Sequence, residues 1–184
     1  DLHSFPTRRS SDLDLIEGAP NYFATDAEGN TTSKLLSSGD DVALLDTYKS
    51  LVVEMDIEGM NKITYTRTFN NTEWQAIYLP FEMSYSNWSE DFEVARINDV
   101  HQFDDDDDGT IDRTLLEVIK LKDGSKTAAN TPYVIKAKSV GDKTITVSNT
   151  KLYETVENVF SVSSWQTLYT FGTTYSTVSA SVQI

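Results

Sequence analysis

Ile63, Tyr65, Arg67 and Phe69 alternate with Thr64, Thr66 and Thr68. Successive side chains of an extended strand point to opposite faces, so this period of two puts the large residues on one face and the threonines on the other. A helix would scatter the same residues around its axis, whereas β-branched and aromatic side chains suit a half-buried pleated surface. The segment is thereby committed to a sheet, and a sheet needs partners. Leu51, Val53, Met55 and Ile57 alternate in the same way with Val52, Glu54 and Asp56. Further strand-like runs cover residues 74–79, closed by Pro80, then 92–97, 100–103, 114–122, 133–137, 144–147, 159–162 and 166–175. Turn material separates them: Glu58-Gly59-Met60-Asn61, Asn70-Asn71-Thr72, Lys122-Asp123-Gly124-Ser125 and Ala128-Ala129-Asn130-Thr131-Pro132. Gly141-Asp142 predicts a two-residue hairpin between the runs that flank it. About ten short strands, with a turn roughly every ten residues and no long helix, predict an all-β fold, an antiparallel β-sandwich or jelly-roll-like domain.

The leading residues stand apart from this pattern. His3-Ser4-Phe5-Pro6-Thr7-Arg8-Arg9-Ser10-Ser11-Asp12-Leu13 resembles the translation of a sequencing-adapter oligonucleotide. Residues 1–13 are therefore expected to be an artefactual, disordered tail, with the natural N-terminus missing. Residues 14–50 are weakly patterned and read as a linker or the remnant of a preceding module. Within them, Asp40-Asp41-Val42-Ala43-Leu44-Leu45-Asp46 suits either a helical turn or two, or a strand. Residues 51–184 are assigned to the sandwich. The chain stops at Ile184 directly after a strand-like run, so the domain is expected to be truncated at its C-terminus.

One stretch carries a chemically specific pattern. Phe103 is followed by five aspartates, Asp104 to Asp108, then Gly109-Thr110-Ile111-Asp112. With Gly109 at the sixth place of a calcium loop, Asp104, Asp106 and Asp108 occupy places one, three and five. Thr110 offers its carbonyl at seven, and Asp112 stands at nine. Ca²⁺ needs ~6–8 oxygen ligands, and a tightly wound loop aims alternate side chains at one centre. The pattern then departs from the EF-hand. Place twelve, where a bidentate acid belongs, is Leu115, and the exit segment reads as a strand. The plainer alternative is a solvated acidic hairpin tip. Neighbouring carboxylates ~6 Å apart repel by roughly 0.7 kcal/mol per pair even in water, which a bound cation would relieve.

The formal net charge of −14 argues against nucleic-acid phosphates and anionic lipid as partners. The absence of cysteine excludes disulfides, thiolate nucleophiles and Cys-type zinc sites. No apolar run approaches the ~18–20 residues that span a bilayer, so no membrane insertion is expected of this segment. His101 is the one histidine outside the leading tail, and nothing places a nucleophile beside it. Of the three tryptophans, Trp74 and Trp165 lie in or beside strands and read as core. Trp88, in Tyr85-Ser86-Asn87-Trp88-Ser89, reads as a loop residue and is the candidate for stacking against a glycan.

Thr64-Tyr65-Thr66-Arg67-Thr68-Phe69, followed by Trp74-Gln75-Ala76-Ile77-Tyr78-Leu79-Pro80-Phe81, resembles a β-sandwich module of large secreted or surface-anchored proteins of gut and oral Bacteroidetes. Phe92-Glu93-Val94-Ala95, residues 114–120 and Asn130-Thr131-Pro132-Tyr133-Val134-Ile135-Lys136 fit the same module, so the resemblance covers residues 63–175. It implies export, an extracellular or cell-surface setting, and neighbouring modules of one parent protein as partners. It carries no catalytic residue. The expectation is a non-catalytic structural or adhesion module with Ca²⁺ at the acidic hairpin. The alternatives are a carbohydrate-binding module with glycan partners, or a fragment of a polysaccharide-active enzyme.

Overall fold

The computed structural model describes residues 18–156, together with the backbone of 160–164 and 167–171. The chain is built of strands: β1 (Tyr22–Thr25), β2 (Thr31–Lys34), β3 (Asp41–Leu45), β4 (Ser50–Val53), β5 (Ile57–Phe69), β6 (Trp74–Ile77), the single helical turn α1 (Tyr85–Trp88), β7 (Phe92–Phe103), β8 (Arg113–Lys120), β9 (Tyr133–Ala137), β10 (Gly141–Leu152), β11 (Phe160–Ser164) and β12 (Thr167–Phe171). None of the described helices is long and apolar enough to cross a membrane.

The strands form a sandwich-like all-β fold. One sheet runs β10-β5-β3, and a second runs β6-β9-β7-β8. The alternation at residues 63–69 does what the sequence predicts, since Ile63, Tyr65, Arg67 and Phe69 are all buried. Ile63, Tyr65 and Phe69, with Ile145 of β10, meet Phe92, Val94, Ile135 and Ala137 from the second sheet in one core. The Phe69 and Phe92 rings join the two sheets, tilted, with centroids 5.4 Å apart. Such pairs add to simple burial because ring edge and ring face are electrostatically complementary. A small sheet, β2-β1-β4, adds Tyr22, Ala24, Leu51 and Val53 to the same core. The opposite face of the second sheet holds a smaller cluster of Ala95, Ile97 and Val134, and the β11–β12 hairpin lies against β7.

Several expectations are corrected. Residues 14–50 are no linker over their described part: they supply β1, β2 and β3. β3 is parallel to β5, with Val42 opposite Ile63 and Leu44 opposite Tyr65, so the fold is not purely antiparallel. Val42 and Leu44 are buried, and that burial is what draws the segment into the sheet. Residues 51–57 do not form one strand, because β4 ends at Val53 and β5 starts at Ile57. Glu58-Gly59-Met60-Asn61 is no turn either: β5 runs through it, with Met60 fully buried. Gly59 makes this possible. It takes φ of 68°, a conformation that strains other residues, so the backbone calls for glycine; a Cβ there would lie 2.6 Å from Ser38 Oγ, which would have to rotate away. Gly141-Asp142 makes no hairpin between β9 and β10, which belong to different sheets; it opens β10, and Asp142 is the register partner of Thr68. Lys122-Asp123-Gly124-Ser125 is a turn, closed by Ser125 N–H donating to Lys122 O at 2.9 Å, but the chain crosses from β8 to β9 on the far side of β7.

Candidate functional site

The acidic stretch sits where β7 turns into β8. β9 pairs with β7 only as far as Arg96, whereas β8 continues along it to Phe103 opposite Arg113. Beyond Arg96 the two strands run on as a ribbon, with an irregularity between Ile97 and Asp99 that increases its twist. At its end Arg113 is fixed from two sides. Its Nε donates to Asp105 Oδ2 at 2.9 Å and its Nη2 to Asp105 Oδ1 at 3.2 Å, while the guanidinium lies 4.2 Å from the Phe103 ring centroid. A forked, stacked arginine is better ordered than a lysine would be.

The loop is wound as the spacing predicts. Asp107 and Gly109 take positive φ, 58° and 85°, and bend the backbone inward. Asp104 accepts the Gly109 N–H at 2.8 Å and the Asp108 N–H at 3.2 Å. Asp108 accepts the Thr110 N–H at 2.7 Å. One carboxylate oxygen from each of Asp104, Asp106 and Asp108 lies within 4.8 Å of the others. Of the predicted ligands these three are brought together. Asp112 closes the loop instead, its Oδ2 accepting the Asp105 N–H at 2.7 Å. Thr110 stands beside the cluster, with its N–H already engaged. The donor set is all oxygen and suits a hard cation, although no acid completes it at the twelfth place.

Glu117, the nearest acid after that place, is committed elsewhere. Its Oε2 lies 2.7 Å from His101 Nε2, and its Oε1 accepts from Asn98 Nδ2 at 2.5 Å. The pairing comes from the ladder, which sets His101 opposite Leu115 and Asp99 opposite Glu117. Hydrogen bonding to Glu117, aided by the charge of Asp99, holds the His101 pKa above its ordinary 6.5. The folded state therefore favours the imidazolium. That contribution is complete below about 6.5 and is lost as pH rises through the higher folded value. An NMR titration of the imidazole is expected to give a pKa above 6.5 in the native chain and a return towards it in Glu117→Gln. An unchanged value in that variant would remove Glu117 as the cause.

Trp88 is placed otherwise than the sequence suggests. It lies in α1, is 1% exposed, and meets the Tyr85 ring edge-on at 5.8 Å between centroids. It is core, and no glycan can stack on it. Trp74, predicted as core, is half-buried on the outer face of the second sheet, with Lys120 Nζ 5.7 Å from its ring centroid. Trp165 lies outside the described residues.

The other concentration of charge is buried. Arg67 is 5% exposed; its Nε lies 3.3 Å from Asp46 Oδ2, and its Nη1 donates to Ala76 O at 2.8 Å. The Tyr65 hydroxyl donates to Asp46 Oδ1 at 2.7 Å. Burial, reinforced by the Asp46 charge, pushes the Tyr65 hydroxyl well above the usual phenol range, so it stays a donor. Because Arg67 belongs to β5 and Ala76 to β6, the group ties one sheet to the other. The sequence shows Arg67 on the inward face but gives no sign of its partners. Comparison of the chain with protein-family models, with curated proteins and with solved structures finds no match.

Proposed function

We propose that this domain is a non-catalytic structural or adhesion module of an extracellular, cell-surface protein, and that Ca²⁺ taken up at the β7–β8 tip stiffens the ribbon behind it. The observation that carries the reading is the convergence of Asp104, Asp106 and Asp108, whose oxygens gather within 4.8 Å at the end of a two-stranded ribbon. Three like charges so close repel one another, and a divalent cation turns that repulsion into attraction. Asp104, Asp106, Asp108 and the Thr110 carbonyl would supply ligands, with Asp112 acting through water as at the ninth place of such loops. The resemblance of residues 63–175 to modules of exported bacterial proteins supports the setting, and the acidic charge of −14 suits a cation-binding surface domain.

An incomplete ligand set predicts weak affinity, on the order of 10⁻⁴–10⁻³ M, as in extracellular modules. At a hundredfold excess over Kd, calcium is expected to stabilise the fold by about 2.7 kcal/mol, raising Tm by roughly 5–10 °C. Differential scanning calorimetry in calcium and in chelator reads this directly. The double variant Asp104→Ala, Asp108→Ala should melt at one temperature in both. Identical melting of the native chain in the two conditions would end the calcium assignment.

A further inference from the structure

β10 is an outer strand: β5 holds one of its edges, and none of the described strands pairs with the other. The chain from Pro80 to Asn87 runs beside that second edge and is fastened to it at two places. Tyr153 N–H donates to Pro80 O at 2.8 Å, and Asn87 Nδ2 donates to Thr146 O at 3.1 Å. Between these fastenings lies an irregularity, where the β5–β10 register shifts between Thr150 and Leu152 and Asn149 takes φ of 50°. Here the two stretches, with Lys126, line a half-open groove of about 320 Å³. That volume is at the lower end of the ~300–1,000 Å³ over which small-molecule sites occur.

We propose that this groove is a saccharide site that takes one hexose-type ring. Its walls carry Glu82, Ser84, Lys126, Ser148, Asn149 and Tyr153. A sugar presents adjacent hydroxyls, each both donor and acceptor, and a ring face of C–H groups. The lining, which is mostly polar, answers the hydroxyls. The Glu82 carboxylate accepts; the Tyr153 hydroxyl already donates to its Oε1 at 3.2 Å, which orients it. Lys126 makes no ion pair with the described residues, so its ammonium is available as a donor. The Asn149 amide and the two serine hydroxyls both donate and accept. Apolar surface is scarce, since Val147 is half-buried against the core and Lys151 covers one face of the Tyr153 ring. Lys151 is a fixed wall rather than a free charge. Its Nζ is held by Asp56 at 2.7 Å and Glu58 at 2.9 Å, and it stands 4.7 Å from the Tyr153 ring centroid. An anionic ligand would meet Glu82 and a chain of charge −14, and a wholly apolar one would strand the polar walls. A neutral polyhydroxylated ring fits all of these conditions.

Saturation-transfer NMR on the full chain, with D-glucose, D-galactose, D-mannose and N-acetyl-D-glucosamine as probes, tests the site. At least one sugar is expected to bind. Glu82→Gln and Lys126→Ala, both exposed positions whose melting can be checked, should each weaken it by about tenfold, as for loss of one charged hydrogen bond. Asp106→Ala should leave it unchanged, which separates this site from the calcium loop. Silence from all four sugars overturns the proposal, as does binding that survives both substitutions. Binding of a Ser-Thr-Ser-Thr peptide in place of any sugar would also overturn it, marking the groove as a strand-docking edge.

Discussion

Trp88→Ala is expected to lower the unfolding free energy by about 3–5 kcal/mol and Tm by roughly 6–20 °C. The indole is among the largest fully buried side chains, and it sits in a helix of four residues. So short a helix has little stability of its own. Its N-terminus is held by the Ser84 N–H donating to Asn87 Oδ1 at 2.7 Å, and its sequence neighbour Asn87 reaches Thr146 O on β10. Tyr85 adds its N–H, donating to Ser125 O at 3.1 Å, and a half-buried ring, but the one fully buried side chain of the turn is the indole. Alanine would leave a cavity between α1 and the two sheets that the surrounding backbone cannot collapse to fill. Urea unfolding of the native chain, Trp88→Ala and Trp88→Phe checks this; phenylalanine keeps a ring in place and should lose less. A loss below about 1 kcal/mol for alanine, the range of surface positions, would contradict the burial described.

Arg67→Ala is expected to cost about 3 kcal/mol, or roughly 6–12 °C in Tm. Asp46 would keep its charge in a site only 17% exposed, and Ala76 O would lose its donor. The pair itself is worth less than that figure, because taking two charges out of water offsets most of their attraction. A double substitution, Arg67→Met with Asp46→Asn, which keeps an acceptor for the Tyr65 hydroxyl, should therefore recover much of what the single one loses. If the double variant is as unstable as Arg67→Ala, the loss came from packing of the arginine stem and not from the stranded carboxylate.

These two residues also mark what the sequence can and cannot convey. Arg67 is legible as inward-facing because the period of two runs unbroken through residues 63–69. Its partners are not, because Asp46 and Ala76 are brought to it by two different strand pairings. Trp88 is misread because its neighbours are polar and a single helical turn shows no period. The start of β5 is not legible because Glu58-Gly59-Met60-Asn61 has the composition of a turn, whereas Gly59 absorbs the bend and Met60 is held by the core. β3 shows two buried residues in five, too short a signal to separate from linker, and its parallel pairing depends wholly on tertiary context. The loop is the best-read feature. Its aspartate spacing and Gly109 act locally, so the winding follows from the chain itself, while the engagement of Glu117 by His101 depends on register across the ribbon.

The order β10-β5-β3 has a further consequence for how the molecule is made. On the ribosome β3 emerges before β5 and can wait beside it, but β5 ends at Phe69 and its other neighbour does not begin until Gly141. Until Gly141 and the residues of β10 after it are made, the central strand carries an open flank and an uncovered aromatic face. Such late, long-range closure slows folding and leaves the nascent chain prone to self-association. The threonines that alternate along β5 keep the opposite face of that waiting strand polar.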